Sequence, residues 1–386
     1  MRAAFHPRLI NGPFEDPCLY IPFQFRNRAL LFDLGDLSAL SNRELLKISH
    51  VFVSHMHMDH FIGFDRLLRV ALGRDIILHF YGPEGIVENV AGKLSGYTWN
   101  LVADDTHPLE IMVTEVTPTR MTTSRFLCRN RFRLDSNRVT KPFDGRLLIE
   151  PAFSVRAAVL DHRVPCLGFS LDEQFHINID TVQLDRLGLP TGSWLSDFKK
   201  AVYEGRPESL EIVVHGADKI DPRTYRLGEL IDNIARITPG QTITYITDVG
   251  YSKRNVRRIV ELAKGADHLY IEAAFLDSDA PIAHRKHHLT ALQAGRIARH
   301  AGVRRLTIFH FSPRYQGMEE QLEAEAHAAF KGRQMNSLQG VDRRPGFNQR
   351  LVCGGRMCLR RKEIGLATQK RNGIGFAEYT GTALHK

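Results

Sequence analysis

An α/β sandwich, with sheets inside and helices outside, is the fold class this sequence predicts. Short apolar runs of strand character recur along the chain, many of them in its first half. Stretches with helical spacing alternate with them. The 386 residues are 43% hydrophobic and 25% charged, the ordinary composition of a globular protein with ample material for a core.

The elements follow in order. "CLYIPFQFRNRALLFDL", residues 18–34, reads as two strands around a turn at 26–28. "ISHVFVS" is a strand. "FIGFDRLLRVAL" has helical spacing at Phe61, Phe64, Leu67, Leu68 and Leu72. "RDIILHFYGP", "FSVRAAVLDH", "CLGFSL", "LEIVVHG" and "QTITYITD" read as strands. "HLYIEAAF" is a strand with helical segments on either side. "HLTALQAGRIARHAG" reads as a helix with Gly302 as its C-cap, and "VRRLTIFHF" as the strand that follows. Residues 176–210 are polar and turn-rich, then helical, and could form an arm projecting from a catalytic domain spanning 1–330. Residues 331–386 read as a separate basic extension, with a hairpin expected around Gly354-Gly355.

That extension holds 12 of the 52 Lys and Arg but only 3 of the 43 Asp and Glu, which accounts for the whole net charge of +9. A basic tail can hold a polyanion such as RNA, or can simply be a solvated tail. The five cysteines, Cys18, Cys128, Cys166, Cys353 and Cys358, are scattered and odd in number, which suits free thiols in a reducing compartment. No apolar run reaches the roughly 18 residues that span a membrane. The opening "MRAAFHPRLINGPFEDP" has no apolar h-region, so no secretory signal and a cytoplasmic location are expected.

The chemistry concentrates in "VFVSHMHMDHFIGF". His55, His57, Asp59 and His60 crowd six positions directly after an apolar run. Imidazole and carboxylate are costly to bury unless paired or bound to a metal. His55 and His57, two apart, can share one ion, and Asp59 and His60 then point toward a second. Each ion still lacks ligands. These should be His or Asp at the carboxyl ends of strands, where open α/β sheets place their sites. Three positions fit: His162, Asp248 and His310. A lone histidine at a strand end is most often structural, and His79, His215 and His300 are read that way. Beside the cluster, a coherent set emerges. His55, His57 and His162 take one ion, Asp59, His60 and His310 the other, and Asp248 bridges. Nitrogen and oxygen donors without thiolate suit two Zn²⁺, with Mn²⁺ or Fe as alternatives. Such a pair, about 3.5–4 Å apart, activates a water at neutral pH, which Asp59 can orient and deprotonate.

These residues resemble the metal motif of the metallo-β-lactamase superfamily, and "SHMHMDHFIGFDRLL" resembles its ribonuclease Z branch. "LLFDLGD" resembles the strand carrying Asp33 and Gly35 ahead of that motif. "DHRVPCLGF" resembles the segment of the third histidine, and "TDVGYS" that of the bridging aspartate. "YIEAAF", "HLTALQAGRIARHAGV" and "LTIFHFSPRY" resemble segments particular to the branch. The resemblance runs from about residue 20 to 325. It implies a metallo-β-lactamase fold, an αββα sandwich of two mixed β-sheets flanked by helices, commonly a zinc-loaded homodimer. It implies endonucleolytic removal of the 3′ trailer from precursor tRNA, leaving a 3′-hydroxyl. Glu272 and His288 would then form a proton shuttle to the leaving oxygen, with His287 as the alternative imidazole. "LGLPTGSWLSDFKKA" resembles the arm that grips tRNA, where Lys199 and Lys200 offer phosphate contacts. Two features depart from the family pattern. "RLINGPFEDP" stands where the family has a glycine-rich stretch, and the arm carries "LPTGSW" in place of a turn richer in proline and glycine.

The departures motivate a competing expectation, a hydrolase of the same fold acting on a small ester or another phosphodiester. A non-catalytic RNA-binding relative would have lost ligands, and none of the seven is lost. A di-iron flavoprotein relative would carry Glu where His57 stands. A true β-lactamase would need an export signal.

Overall fold

The structure, a computed structural model, describes residues 5–24, 27–102, 108–215 and 222–332. The first sheet is built from β1 (Arg8–Leu9), β2 (Leu19–Pro22), β3 (Ala29–Phe32), β4 (Ile48–Phe52), β5 (Ile77–Pro83), β6 (Glu110–Val116), β7 (Arg120–Leu127) and β8 (Val139–Pro142), hydrogen-bonded in that order. β3 to β6 are parallel and the flanking strands antiparallel. Helices α1 (Asn42–Leu45), α2 (Phe64–Ala71) and α3 (Ile86–Ser95) join its strands.

The chain continues through β9 (Arg146–Ile149), β10 (Phe153–Asp161) and β11 (Pro165–Glu173). An insertion follows: β12 (Phe175–Ile179), α4 (Thr181–Arg186), α5 (Trp194–Tyr203), β13 (Glu211–Val214), β14 (Arg223–Arg226), α6 (Leu227–Ile234) and β15 (Ala235–Pro239). Then come β16 (Thr242–Ile246), α7 (Lys253–Leu262), β17 (His268–Glu272), α8 (Ala280–Lys286), α9 (Ala291–Ala301), β18 (Leu306–Phe309) and α10 (Glu319–Lys331). The second sheet has the order β18-β17-β16-β11-β10-β9, parallel among the first three and antiparallel thereafter.

The alternation of side chains along each strand explains the layers. In β3, Leu30 and Phe32 face the other sheet, and Ala29 and Leu31 face the core under the first-sheet helices. In β17, Tyr270 faces the partner sheet, and Leu269 and Ile271 face the core shared with α7, α9 and α10. Strands buried on both faces read as continuous apolar runs, which is why the sequence displays them so clearly. Between the sheets an aromatic cluster forms, with Phe32 stacked on Phe169 at 5.5 Å and Tyr245 on Phe309 at 5.2 Å. Helices outside, two mixed sheets inside: this is the αββα sandwich.

Several expected elements take a different form. The strand read in "LEIVVHG" is β13, which among the described residues pairs with β14 inside the insertion and joins neither main sheet. The arm expected at 176–210 is part of a larger unit, 175–239, with its own core of Ile177, Trp194, Phe198, Ile212, Leu227 and Ile234. Its closing strand β15 pairs with β12 from about 60 residues away in sequence, a contact no local pattern reveals. Strands β6 to β9 add to those expected from the apolar pattern. The 331–386 extension and its hairpin lie outside the described residues beyond Gly332. Cys18, Cys128 and Cys166 are buried free thiols. No helix among the described residues is long and apolar enough to cross a membrane.

Candidate metal centre

The site lies where the two sheets present their strand ends. The loop after β4 carries His55 and His57, and a short 3-10 helix, Met58–His60, carries Asp59 and His60. His162 follows β10, Asp248 follows β16, Glu272 ends β17 and His310 follows β18. The histidine loop is tied to the chain beyond β3 by Leu34 N to His60 O and Gly63 N to Leu34 O, both 2.9 Å. A Cβ at Gly63 would lie 2.3 Å from the Gly35 carbonyl oxygen, so only glycine permits this approach.

Besides a group of Asp248, Glu272, His288 and His310, the donor atoms fall into two groups with the Asp248 carboxylate between them. His55, His57, His162 and Asp248 place one ligand atom each within 4.8 Å of one another, and so do Asp59, His60 and His310. Asp248 divides its oxygens between them. Its Oδ2 lies 3.6 Å from His55 Nε2 and 3.5 Å from His162 Nε2. Its Oδ1 lies 3.6 Å from His60 Nε2 and 2.9 Å from His310 Nδ1. His60 Nε2 and His310 Nδ1 are buried and lack a hydrogen bond of acceptable geometry, although carboxylate oxygens are close. Buried nitrogens that converge on oxygens without bonding to them fit a shared cation between them. The residues therefore fit a divalent metal, and divalent metal binding is the coarse property that the fold and these clusters support.

The outer nitrogens are held in place. His162 Nδ1 donates to the His287 carbonyl at 2.7 Å. His55 Nδ1 is 3.0 Å from Ser54 Oγ. His60 Nδ1 meets Asp33 Oδ2 at 2.9 Å, and that carboxylate also accepts from the Ser54 N–H and hydroxyl and from the Tyr245 hydroxyl. Asp33 thus orients a candidate ligand and ties the two sheets together, a role that reading the sequence residue by residue does not assign. Its one signal there is a carboxylate ending a buried strand run. Asp33, Arg163, His287 and His310 all adopt positive φ, between 58° and 62°, a costly conformation for residues other than glycine that clusters at functional sites.

Burial and neighbouring charges shift these groups strongly. Burial holds His55 down to about 2, so it is neutral, the form in which imidazole ligates. Burial opposes charge on His60 as well, but Asp248 and Asp33 outweigh it and hold its pKa well above the usual value. His310 is driven up to about 10 in the same way, mainly by Asp248 against burial. Burial alone would raise Asp248, and the charges on His310 and His60 instead hold it well below the usual carboxylate range.

Beside this cluster, Glu272 is fully buried. One of its oxygens accepts the Val249 N–H at 2.7 Å, and the other holds His288 Nδ1 at 3.0 Å. Burial lowers His288, but Glu272 outweighs burial and raises it. His287 contributes its carbonyl to His162; the Glu272 carboxylate pairs with His288. A capping box of Thr290 and Gln293 starts α9 just beyond. A cleft of about 430 Å³ opens on the cluster, lined by His57, Asp59, His288 and His310 and rimmed by Arg163 and Arg285. Lys199 and Lys200 sit on α5. Lys199 lines a separate cleft between the insertion and the sandwich, and Lys200 is exposed and 3.9 Å from Glu204.

Residues 214–311 match the family model of the beta-lactamase superfamily domain. With the αββα sandwich, this gives the class: a metal-dependent hydrolase of the metallo-β-lactamase fold. A Ribonuclease Z of Deinococcus radiodurans is 33% identical over 74% of this chain and 83% of its own length. Ribonuclease Z proteins of Bacteroides fragilis and Bacteroides thetaiotaomicron are 29% and 30% identical over 79% of this chain and 86% and 83% of theirs. Among solved structures, the metallo-beta-lactamase fold protein YhfI of Bacillus subtilis aligns over 85% of this chain and 95% of its own, with 18% identity and a TM-score of 0.48. This chain belongs to the ribonuclease Z family.

Proposed function

We propose that this protein is an endoribonuclease that removes the 3′ trailer from precursor tRNA, leaving a 3′-hydroxyl. The observation that carries the reading is a carboxylate-held imidazole, His288 on Glu272, opening on the same cleft as a split-carboxylate ligand cluster, in a chain of the ribonuclease Z family. His55, His57 and His162 would hold one ion and Asp59, His60 and His310 the other, with Asp248 between. Two Zn²⁺ bound there, or Mn²⁺ or Fe in their place, would supply an activated water and neutralise charge on the attacked phosphate.

The chain's own groups do the rest. The Asp59 side chain, 40% exposed at the cleft, can accept a proton from the attacking water. His288 donates its Nε2 proton to the leaving 3′ oxygen, and Glu272 stabilises the imidazolium before transfer. Arg163 and Arg285 draw the anionic backbone into the cleft. The 175–239 insertion is proposed as the arm that contacts tRNA away from the cut, with Lys199 and Lys200 as candidate phosphate contacts. The assembly is proposed to be a homodimer, acting in the cytoplasm.

Zinc-loaded protein incubated with a 3′-extended precursor tRNA tests this. A cut just after the discriminator base, abolished in His55→Ala, is the expected result. Retained zinc and turnover of a small phosphodiester without any cut in the tRNA would overturn the substrate assignment and favour a small-ester hydrolase.

A further inference from the structure

A second cleft opens on the same centre. It has a volume of about 250 Å³ and shares Asp59, Lys286, His288 and His310 with the first. Its remaining walls differ. The first cleft adds the cations Arg163 and Arg285, whereas the second adds Phe14, Phe275 and Phe311 together with the carboxylates of Glu15 and Asp16. A polyanion attracted to one is repelled by the other. The volume lies below the roughly 300–1,000 Å³ of ordinary ligand pockets, so one ring system fits and a whole nucleotide does not.

The wall is built rather than loose. Phe311 N donates to the Pro13 carbonyl at 2.7 Å, and the Phe14 and Phe311 rings meet edge to face at 5.5 Å. Asn11 Nδ2 donates to the carbonyls of Asp16 and Asp36, at 2.7 and 2.9 Å. A Cβ at Gly35 would lie 2.7 Å from Asp16 Cβ, so the strand-end loop packs directly against this residue. Glu15 spends its carboxylate on the Gly12 N–H at 2.7 Å. Among the described residues, no group donates to the Asp16 carboxylate. It is a half-buried acceptor facing a cleft of aromatic rings.

The lining suits an occupant that is planar, not itself anionic, and rich in N–H donors. We propose that the Phe14–Asp16 cleft is a nucleobase subsite beside the scissile phosphate, in which the base lies against the phenyl rings and donates its N–H groups to Asp16. A carboxylate offers two neighbouring acceptors and no donor. Guanine, with adjacent N1–H and N2–H₂ donors, satisfies both at once. Adenine and cytosine offer one amino group, and uracil a single imide N–H between two carbonyls that the carboxylate repels. The expected preference is guanine first and uracil last. The inference rests on the proposal that this centre acts on RNA, and it assigns a purpose to the stretch that departs from the family pattern.

Equilibrium titration of metal-loaded protein with the four nucleoside 5′-monophosphates tests it without requiring turnover. Guanosine monophosphate should bind roughly tenfold more tightly than uridine monophosphate, as for one two-point base contact. Asp16→Asn, nearly isosteric, and Asp16→Ala should each erase that ratio. Phe14→Ala should weaken all four, because every base has a face that stacks. Metal content measured in each variant separates a lost subsite from a lost centre. Equal binding of all four by the native protein, or a guanine preference that survives in Asp16→Asn at full metal content, overturns the proposal. Failure of the tRNA reading would show in the trailer-cleavage assay and leaves this titration interpretable.

Discussion

The sandwich and the 175–239 insertion bury their side chains by the same physics but stand in different relations to the chemistry. In the sandwich, two mixed sheets share an aromatic interior, and the proposed ligands His162, Asp248 and His310 sit just beyond strand ends, while His55, His57, Asp59 and His60 lie in the loop and short 3-10 helix that follow β4. A change in that interior reaches His162, Asp248 and His310 through one or two residues of chain. The insertion has a separate core, and among the described residues its strands form two small sheets of their own, with His176 tied to Glu173 of the sandwich at 2.9 Å. It can be damaged without moving a ligand. The proposed chemistry and the proposed substrate contact thus fall in parts with separate cores.

The strongest test of this division is Asp248→Ala. That carboxylate faces both ligand groups, so the variant should lose metal and activity together, by elemental analysis and phosphodiester turnover. Normal metal content would refute the bridging role. Next comes a matched pair of core truncations. Phe169→Ala, between the sheets, and Phe198→Ala, in the insertion, each remove a fully buried ring, at a cost of about 3–5 kcal/mol. The first should lower the stability of the metal site, and the second should leave metal content intact while hydrogen exchange quickens across α4 to α6. Equal metal loss in both would break the comparison.

His288→Ala should retain metal and slow cleavage by about 10²–10⁴-fold, the range for a lost general acid. Near-normal turnover would move the acid elsewhere. A smaller, graded effect concerns pH. The pKa of His60 is raised and that of His310 is driven to about 10 in the metal-free chain. Both are raised above the unfolded value near 6.5, so their stabilising charge is complete below it and is lost as pH climbs through the folded values. Ligation needs these imidazoles neutral, so metal affinity should rise with pH across that window and binding should release protons. Calorimetric titrations in buffers of different ionisation enthalpy read the sign directly, and proton uptake would contradict the assignment. Smallest of all, Lys200→Ala should lower the salt dependence of RNA binding by about one counterion, with metal unaffected.

Much of the site is legible in the linear order of residues. Three histidines and an aspartate in six positions after an apolar run demand an explanation that core packing cannot supply. Burial makes the strands ahead of Asp248 and His310 visible as apolar runs, and the strand ahead of His162 shows as an alternation of buried and partly exposed residues. Gly302 is legible as a helix end because a left-handed φ, here +64°, favours glycine. Strands β6 to β9 are not legible. Their half-exposed faces carry pairs such as Arg125 with Glu110, which look like solvated surface in one dimension. The pairing of β12 with β15, the tie from Asp33 to Tyr245 across the sandwich, and the cleft where Asp16 meets Asp59 are hidden as well. Local sequence determined which residues can ligate, cap or alternate, because those properties depend on neighbours a few positions away. Only the tertiary structure decided which oxygen of Asp248 faces which histidines and what lies beside them, because those distances join segments up to about 250 residues apart.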